Sequence, residues 1–526
     1  MTGLQPSEHG RAGTRPAAPH AAGTPPTSPP PPPNSHGGRR SHRTTGAGIS
    51  AGYWLPPALL MLVLGLVGVG DRQPWQDEYA TWWAATLSWS DFGRLLSHVD
   101  IVLAPYYTLM HLWIGVFGDS AAAMRIPSVL AMSAAAGVVA LLGRRLFDRS
   151  VGLAGGLLFA VIPMTTRYAQ EARPYAFAVL AAASATLLLL RVLDRSSVGR
   201  WASYGTLVTC MGLAHLVTLT VLAAHLVAVL STARPARGRS LPAWLLTVVV
   251  ALLPVLPLAY LGHTQSQQIA WLQQQSASLV QLPGQVFHSG TAAGVMIGAS
   301  VLGLLLTRRW AAMLLCWALL PPVLLFATKN VLDLFLNRYL IFTLPAWALL
   351  AAAALCAVVR LLPGGGKAWH QPVAAALAAS ALLLGTTADI TSLRADPLPG
   401  EPDWRAATAW MLQHDQPGDG MAFNGYREGR LALSYQLRRV QNAPQDVFLG
   451  RSAQSLGLFD PQNSADPAAA AARVNRIWLL STAPKGHSFD QMPTSIGALF
   501  ATRYRVVQTT NFSSVRVLLL VPTTAG

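Results

Sequence analysis

The chain has 526 residues, 52% hydrophobic and only 11% charged, with a mean hydropathy of +0.38. A soluble globular protein carries about 25% charged residues, so a soluble multidomain enzyme and a disordered protein are both excluded. The apolar residues come in blocks, and a bilayer crossing needs about 20 of them. This is the sequence of a polytopic α-helical membrane protein.

The net charge is +16. Residues 1–388 hold 25 basic and 11 acidic side chains, and residues 389–526 hold 13 and 11. The excess lies in the apolar part, as small groups of arginine between apolar segments. That is the pattern of cytoplasmic loops and argues against a nucleic-acid partner. Cys210, Cys316 and Cys356 sit inside apolar runs, so neither a disulfide framework nor a Cys-based zinc site is expected.

Residues 1–50 are of low complexity, with ten prolines in the first 33 residues, and read as a disordered cytoplasmic tail. Arg39, Arg40 and Arg43 precede the first apolar segment and hold the N-terminus inside. About eleven spans follow, at roughly 53–70, 121–142, 151–166, 175–192, 202–214, 217–231, 242–262, 292–306, 310–327, 339–359 and 372–388. The fifth and sixth nearly fuse at His215. Connections placed inside, with the tail, carry 18 basic residues against seven outside, which satisfies the positive-inside rule. An odd number of spans leaves the C-terminus outside. In residues 389–526 charges return, with β-like runs at Met421–Phe423, Arg476–Ser481, Tyr504–Gln508 and Ser514–Val521. They follow a helical stretch bearing Trp404 and Trp410, so a small C-terminal extracytoplasmic α/β domain is expected.

Three outer connections carry the candidate chemistry. The first, from Asp71 to about Ser120, contains Trp75-Gln76-Asp77-Glu78-Tyr79. Two carboxylates there are either solvated at the interface or a general base or ligand. Downstream, His98, Asp100, Tyr106, Tyr107, His111 and Trp113 form an amphipathic segment for the interface. The second connection, Arg167 to Tyr175, is short and polar; Glu171 and Arg173 either pair with each other or supply a second carboxylate and a phosphate-binding guanidinium. Asn337-Arg338-Tyr339 opens the tenth span, preceded by Lys329 and Asp333. His215 and His288 are candidate ligands by position, although a satisfied structural histidine is the simpler reading of each. No Walker, Rossmann, HExxH or Ser-based signature is present.

Taken in order, these residues resemble the GT-C membrane glycosyltransferases, in particular actinobacterial members related to protein O-mannosyltransferases, Rgt-type and aminoarabinose transferases. The resemblance rests on Trp75-x-Asp77-Glu78, Asp100, Tyr106-Tyr107, His111-x-Trp113, Arg125-Ile126-Pro127-Ser128, Arg144-Arg145-Leu146 and Tyr168-Ala169-Gln170-Glu171-Ala172-Arg173-Pro174-Tyr175. It is dense over residues 70–180 and thinner afterwards, at Arg338-Tyr339-Leu340 and Asp403-Trp404-Arg405-Ala406-Ala407. It implies a GT-C-like transmembrane catalytic domain over residues 51–388. The implied reaction transfers a sugar, mannose being one candidate, from a polyprenyl-phosphate donor to an envelope glycan, lipid or protein at the extracytoplasmic face of the plasma membrane.

In that resemblance Asp77 falls on the catalytic acidic position and Glu171 on the second-loop acidic position, with Glu78 beside the first. Arg338 falls near residues facing the donor phosphate, and Asp100, Tyr106, Tyr107, Arg173, Tyr175 and Tyr339 on substrate-binding positions. A divalent metal assists some relatives, and the sequence names no ligand set for one. The chain departs from the pattern between Asp100 and Tyr106, where Ile101–Pro105 replace the usual histidine. Direct attack by an acceptor hydroxyl inverts the anomeric carbon with a single base, so no second nucleophilic carboxylate is required; a substitution at Glu78 is expected to cost less than one at Asp77, because adjacent side chains point in different directions. The rival readings are a transporter or flippase of a lipid-linked sugar, disfavoured by acids at helix ends and the lack of repeated halves, and a non-catalytic glycan-binding scaffold.

Overall fold

A computed structural model describes residues 52–232, 234–267, 278–306, 310–332, 334–363, 365, 367–424 and 428–523. The expected tail with Arg39, Arg40 and Arg43 lies outside the described residues, as do Arg308, Arg309 and Asp333.

The chain begins with an apolar helix α1 (Leu55–Leu66), then three helices outside the expected spans: α2 (Gln76–Thr86), α3 (Trp89–His98) and α4 (Ala104–Phe117). Ser88 caps α3 by accepting from the Asp91 N–H. Next come α5 (Ala121–Leu146), α6 (Arg149–Val161), α7 (Pro163–Ala169) and α8 (Tyr175–Asp194). Pro163 opens α7 and removes one backbone donor, and α6 and α7 meet at a 68° bend.

A helix stands at each of the eleven expected places. Three continuous stretches, Ala121–Leu146, Tyr175–Asp194 and Asn337–Leu361, are long and apolar enough to cross a membrane, or up to six if each bent pair is one span. The described helices thus give three to six candidate spans, fewer than the eleven expected, because Leu55–Leu66, Leu216–Leu230, Gly290–Leu306 and Ala311–Ala327 are each shorter than 18 residues.

Small residues let these helices touch. A Cβ on Gly152 would lie 2.4 Å from the Ala140 carbonyl oxygen, and one on Gly303 2.2 Å from that of Leu350. Either addition would push two helix backbones apart. At one end of the bundle, Arg145 pairs with Asp194 and Arg360 with Asp148, while Arg144 donates to the Tyr53 hydroxyl. These contacts gather three of the arginine-bearing connections at a single end.

The C-terminal sheet region follows the sequence expectation closely. Its strands are β1 (Gly420–Asn424), β2 (Gln445–Asp446), β3 (Leu449–Arg451), β4 (Gln462–Asn463), β5 (Ile477–Ser481), β6 (Tyr504–Phe512) and β7 (Val515–Pro522). Five form a mixed sheet in the order β2-β1-β5-β7-β6, with β1 parallel to β2 and β5, and β7 antiparallel to β5 and β6. β5 is buried on both faces, which explains its continuous apolar run.

One apolar core joins this sheet to the first connection. Tyr79, Trp82, Phe92 and Tyr107 share it with Trp404, Met411, Tyr435, Trp478 and Val517. Tyr435 packs on Tyr79 and edge-on to Trp82, at 5.6 and 5.2 Å between centroids. Asp119 accepts from Trp82 Nε1 at 3.1 Å, Arg438 Nε at 2.8 Å and an Arg439 guanidinium nitrogen at 2.6 Å. Gln73 donates to the Asp396 carboxylate and the Pro402 carbonyl, and its side-chain oxygen accepts from the Arg405 N–H. The connection that bears Asp77 is therefore clamped between the helix bundle and the sheet.

Candidate active site

The site is built on the N-terminus of α2. Asp77 and Glu78 stand in its first turn, where the helix dipole favours negative charge. Glu78 folds back to accept from the Trp75 N–H at 3.3 Å, and the rest of its surroundings fix it completely. Arg125 grips both its oxygens, at 2.8 Å from Nε and 2.6 Å from a terminal nitrogen, and the Ala172 N–H adds a bond of 2.8 Å. Arg72 approaches to 3.8 Å. Burial alone would push the Glu78 carboxyl up, but the Arg125 charge and these hydrogen bonds outweigh it and hold it at about 2. Burial, with the charges of Arg167 and Arg125, pulls Arg72 down to about 9.

Asp77 faces the other way. Its Oδ2 lies 3.7 Å from Arg173 Nε and 3.5 Å from an Arg338 terminal nitrogen, and among the described residues that oxygen has no hydrogen-bond partner. Arg173 and Arg338 each keep a buried Nε that is also unbonded. Arg173 is aimed by long contacts of 3.4 Å to the Asp77 carbonyl, the Thr81 hydroxyl and the Tyr107 hydroxyl. Tyr107 in turn donates to Asp100 Oδ2 at 2.9 Å. Asp100 adopts a left-handed backbone (φ 56°), opening a short 3-10 turn at Ile101–Leu103. Gln265 pins that turn by accepting from the Ile101 N–H and donating to the Leu96 carbonyl.

The second connection pairs within itself through Arg167 and Glu171, while Arg173 turns to Asp77. Glu171 meets Arg167 at 3.1 Å and Arg173 meets Asp77 at 3.7 Å, so of the two sequence readings the Glu171–Arg173 pair gives way to different partners for each residue. Glu171 is buried, both its oxygens lack hydrogen bonds, and burial pushes its carboxyl above the usual range against the Arg167 charge. The Trp75 ring contacts two guanidiniums, with Arg167 5.6 Å and Arg338 5.5 Å from its centroid.

Tyr175 and Tyr339 close the site with Tyr168 and His215, at centroid separations of 4.5 to 6.3 Å. Tyr106 and Tyr107 are buried core residues, not an interfacial belt. Asp77, Asp100, Tyr107, Arg173, Tyr175, Arg338 and Tyr339 thus come together, Glu171 pairs with Arg167, and Glu78 is withdrawn into the fold. His288 is exposed at a helix end with φ 51°. Its neighbour in the expectation, His215, is no satisfied core histidine: its Nδ1 is buried and unbonded.

Sequence reasoning overlooked the importance of Arg125, Arg167 and Trp75. A lone arginine four residues into the apolar helix α5 was itself a signal, since a buried charge there requires a carboxylate partner. Among the described residues, no group of three or more His, Cys, Asp or Glu side chains could hold a metal ion. The charge beside Asp77 comes from two guanidiniums, which suits an anion better than a divalent cation.

Residues 103–261 match the model of the dolichyl-phosphate-mannose-protein mannosyltransferase family. The fold resembles that of ArnT from Cupriavidus metallidurans bound to undecaprenyl phosphate, at a TM-score of 0.56 and 14% identity over 90% of this chain and 99% of that one. ArnT in the apo state gives 0.57 and 16% over 89% and 98%. The oligosaccharyltransferase of Archaeoglobus fulgidus in complex with zinc and sulfate gives 0.50 and 13% over 86% and 71%. No curated protein matches. The fold is that of the GT-C membrane proteins. The family match covers residues 103–261, and the fold shared with these structures is GT-C-like.

Proposed function

We propose that this chain is an inverting glycosyltransferase of the plasma membrane. It moves a hexose, mannose being the first candidate, from a polyprenyl-phosphate donor to an envelope glycan, lipid or protein hydroxyl on the extracytoplasmic face. The observation that carries the reading is the Asp77 carboxylate, with an oxygen that has no hydrogen-bond partner among the described residues, between the guanidiniums of Arg173 and Arg338.

In the proposed reaction Asp77 takes the proton of the acceptor hydroxyl as its oxygen attacks the anomeric carbon. The bond from that carbon to the phosphate oxygen breaks, and the phosphate leaves with the electron pair. Arg173 and Arg338 then face the developing phosphate charge with donors already in place. Glu78 and Arg125 hold the frame, and Tyr107, Asp100 and Thr81 aim Arg173. No step is routed through a metal. That ArnT was solved with undecaprenyl phosphate supports a lipid phosphate as the donor's leaving group here.

Mass spectrometry of lipid-linked sugars and envelope glycans, with and without the gene, tests the reading. An accumulated lipid-linked sugar together with a missing glycan supports it and identifies both substrates; unchanged pools of both contradict it.

A further inference from the structure

The helix Val198–Ala214 stops at His215, whose backbone is extended (φ −166°, ψ 118°), and the chain continues as a 3-10 helix over Leu216–Val221. The break is stabilised by backbone bonds on both sides: the His215 N–H donates to the Met211 carbonyl and the Thr218 N–H to the His215 carbonyl, both at 2.9 Å. That second bond ties Thr218, in the 3-10 turn, to the backbone of His215 at its start.

Both carry a polar atom that the fold leaves unused. His215 Nδ1 and Thr218 Oγ1 are buried and have no hydrogen-bond partner among the described residues, and Thr218 is fully buried. Leaving such atoms unpaired is destabilising, and native proteins rarely tolerate it without a reason. By contrast, His225 in the following helix is fully engaged, with Thr186 on one ring nitrogen and Tyr204 on the other, each at 2.9 Å. Burying a satisfied histidine was therefore within reach of this sequence.

The place of the two atoms gives the reason. The His215 ring packs 4.5 Å from Tyr339 and 5.8 Å from Tyr175. Tyr339 follows Arg338 in the chain, and Tyr175 lies two residues after Arg173, the guanidiniums that flank Asp77. The broken helix thus brings the His215 ring to the aromatic wall that borders the proposed reaction centre, with Thr218 three residues further along the chain.

We infer that His215 and Thr218 form a hydrogen-bonding subsite for oxygen atoms in the polar head of the lipid-linked donor. This inference rests on the glycosyl-transfer reading and names a part of the same site. The oxygens belong either to the sugar hydroxyls or to the phosphate, and the two sources are separable by experiment.

The experiment measures binding of undecaprenyl phosphate and of undecaprenyl phosphate-mannose to purified full-length protein in detergent. Thr218→Val removes only the hydroxyl at constant shape, with Thr218→Ser as the restoring variant; His215→Phe keeps the ring against Tyr339. Thermal unfolding of each variant shows that the fold persists. Loss of one hydrogen bond weakens binding roughly tenfold, and the serine variant recovers most of it.

If only the mannose-bearing lipid binds more weakly, the partners are sugar hydroxyls; if both lipids weaken together, the partner is the phosphate. Wild-type affinity for both lipids in folded Thr218→Val and His215→Phe overturns the subsite while leaving the glycosyl-transfer reading standing. A wild-type protein that binds neither lipid overturns both.

Discussion

Asp77 and Glu78 are consecutive residues whose carboxylates have opposite surroundings. Glu78 is fully buried and bonded through both oxygens to Arg125, while Asp77 Oδ2 meets two guanidiniums only at 3.5 and 3.7 Å and has no hydrogen-bond partner among the described residues. Successive helical residues point in different directions, so one turn of α2 serves both the fold and the proposed chemistry.

Glu78→Gln is expected to lower stability more than any other single change near the site. It would leave Arg125 charged and buried without its carboxylate, and breaking a buried pair costs about 3–5 kcal/mol. Because the carboxyl is held at about 2, its contribution is present above the unfolded value near 4.5 and fades as the pH falls toward 2. Unfolding temperatures in detergent should show a gap between wild type and variant that is full at pH 7 and narrows below about pH 4.5. A constant gap would deny the charge its role.

Trp75→Leu should impair turnover without unfolding the protein. The ring contacts both Arg167 and Arg338, and each guanidinium–ring contact is worth about 0.5–2 kcal/mol. A fall of roughly tenfold in kcat is expected, with Trp75→Phe intermediate. Equal kcat in all three proteins would remove Trp75 from the positioning of Arg338.

Asp119→Ala should loosen the sheet region from α2. The carboxylate joins Trp82 of α2 to Arg438 and Arg439, and a charge-assisted bond at a partly exposed site contributes about 1–2 kcal/mol. Limited proteolysis of membranes should cut residues 428–523 faster in the variant. Identical digestion patterns would show that the apolar contacts of Tyr435 suffice alone.

A reporter active only outside the cytoplasm should report outside when fused after Gly526 and inside when fused near Arg237. This follows from the proposed eleven spans and from the arginine groups between them. An inside C-terminus would change the count, and the broken helix at His215 is the place to change it.

The sheet strands were legible because short apolar or alternating runs bounded by turns have few alternative readings; β5, as Arg476–Ser481, was found within one residue. The span count was not, because several helices are short or bent, and the shared core of Trp404 and Tyr79 depends on contacts between distant segments. The acidic positions were visible, yet their division of labour was hidden: nothing local says that Arg125 selects Glu78 over Asp77. The same limit applied to Arg167, which takes Glu171 and leaves Arg173 for Asp77. His215 was noticed for its position, but its unbonded nitrogen emerges only when the neighbouring helices are packed around it.

The most direct test of the proposed chemistry is turnover by purified Asp77→Asn with a polyprenyl-phosphate sugar, measured separately from donor binding. The amide keeps the shape of the side chain and cannot take the acceptor's proton. Turnover should fall by at least about 10²–10⁴-fold, while donor binding stays within a few-fold of wild type. Near-normal turnover by this variant would contradict the assignment and move the base to Glu171.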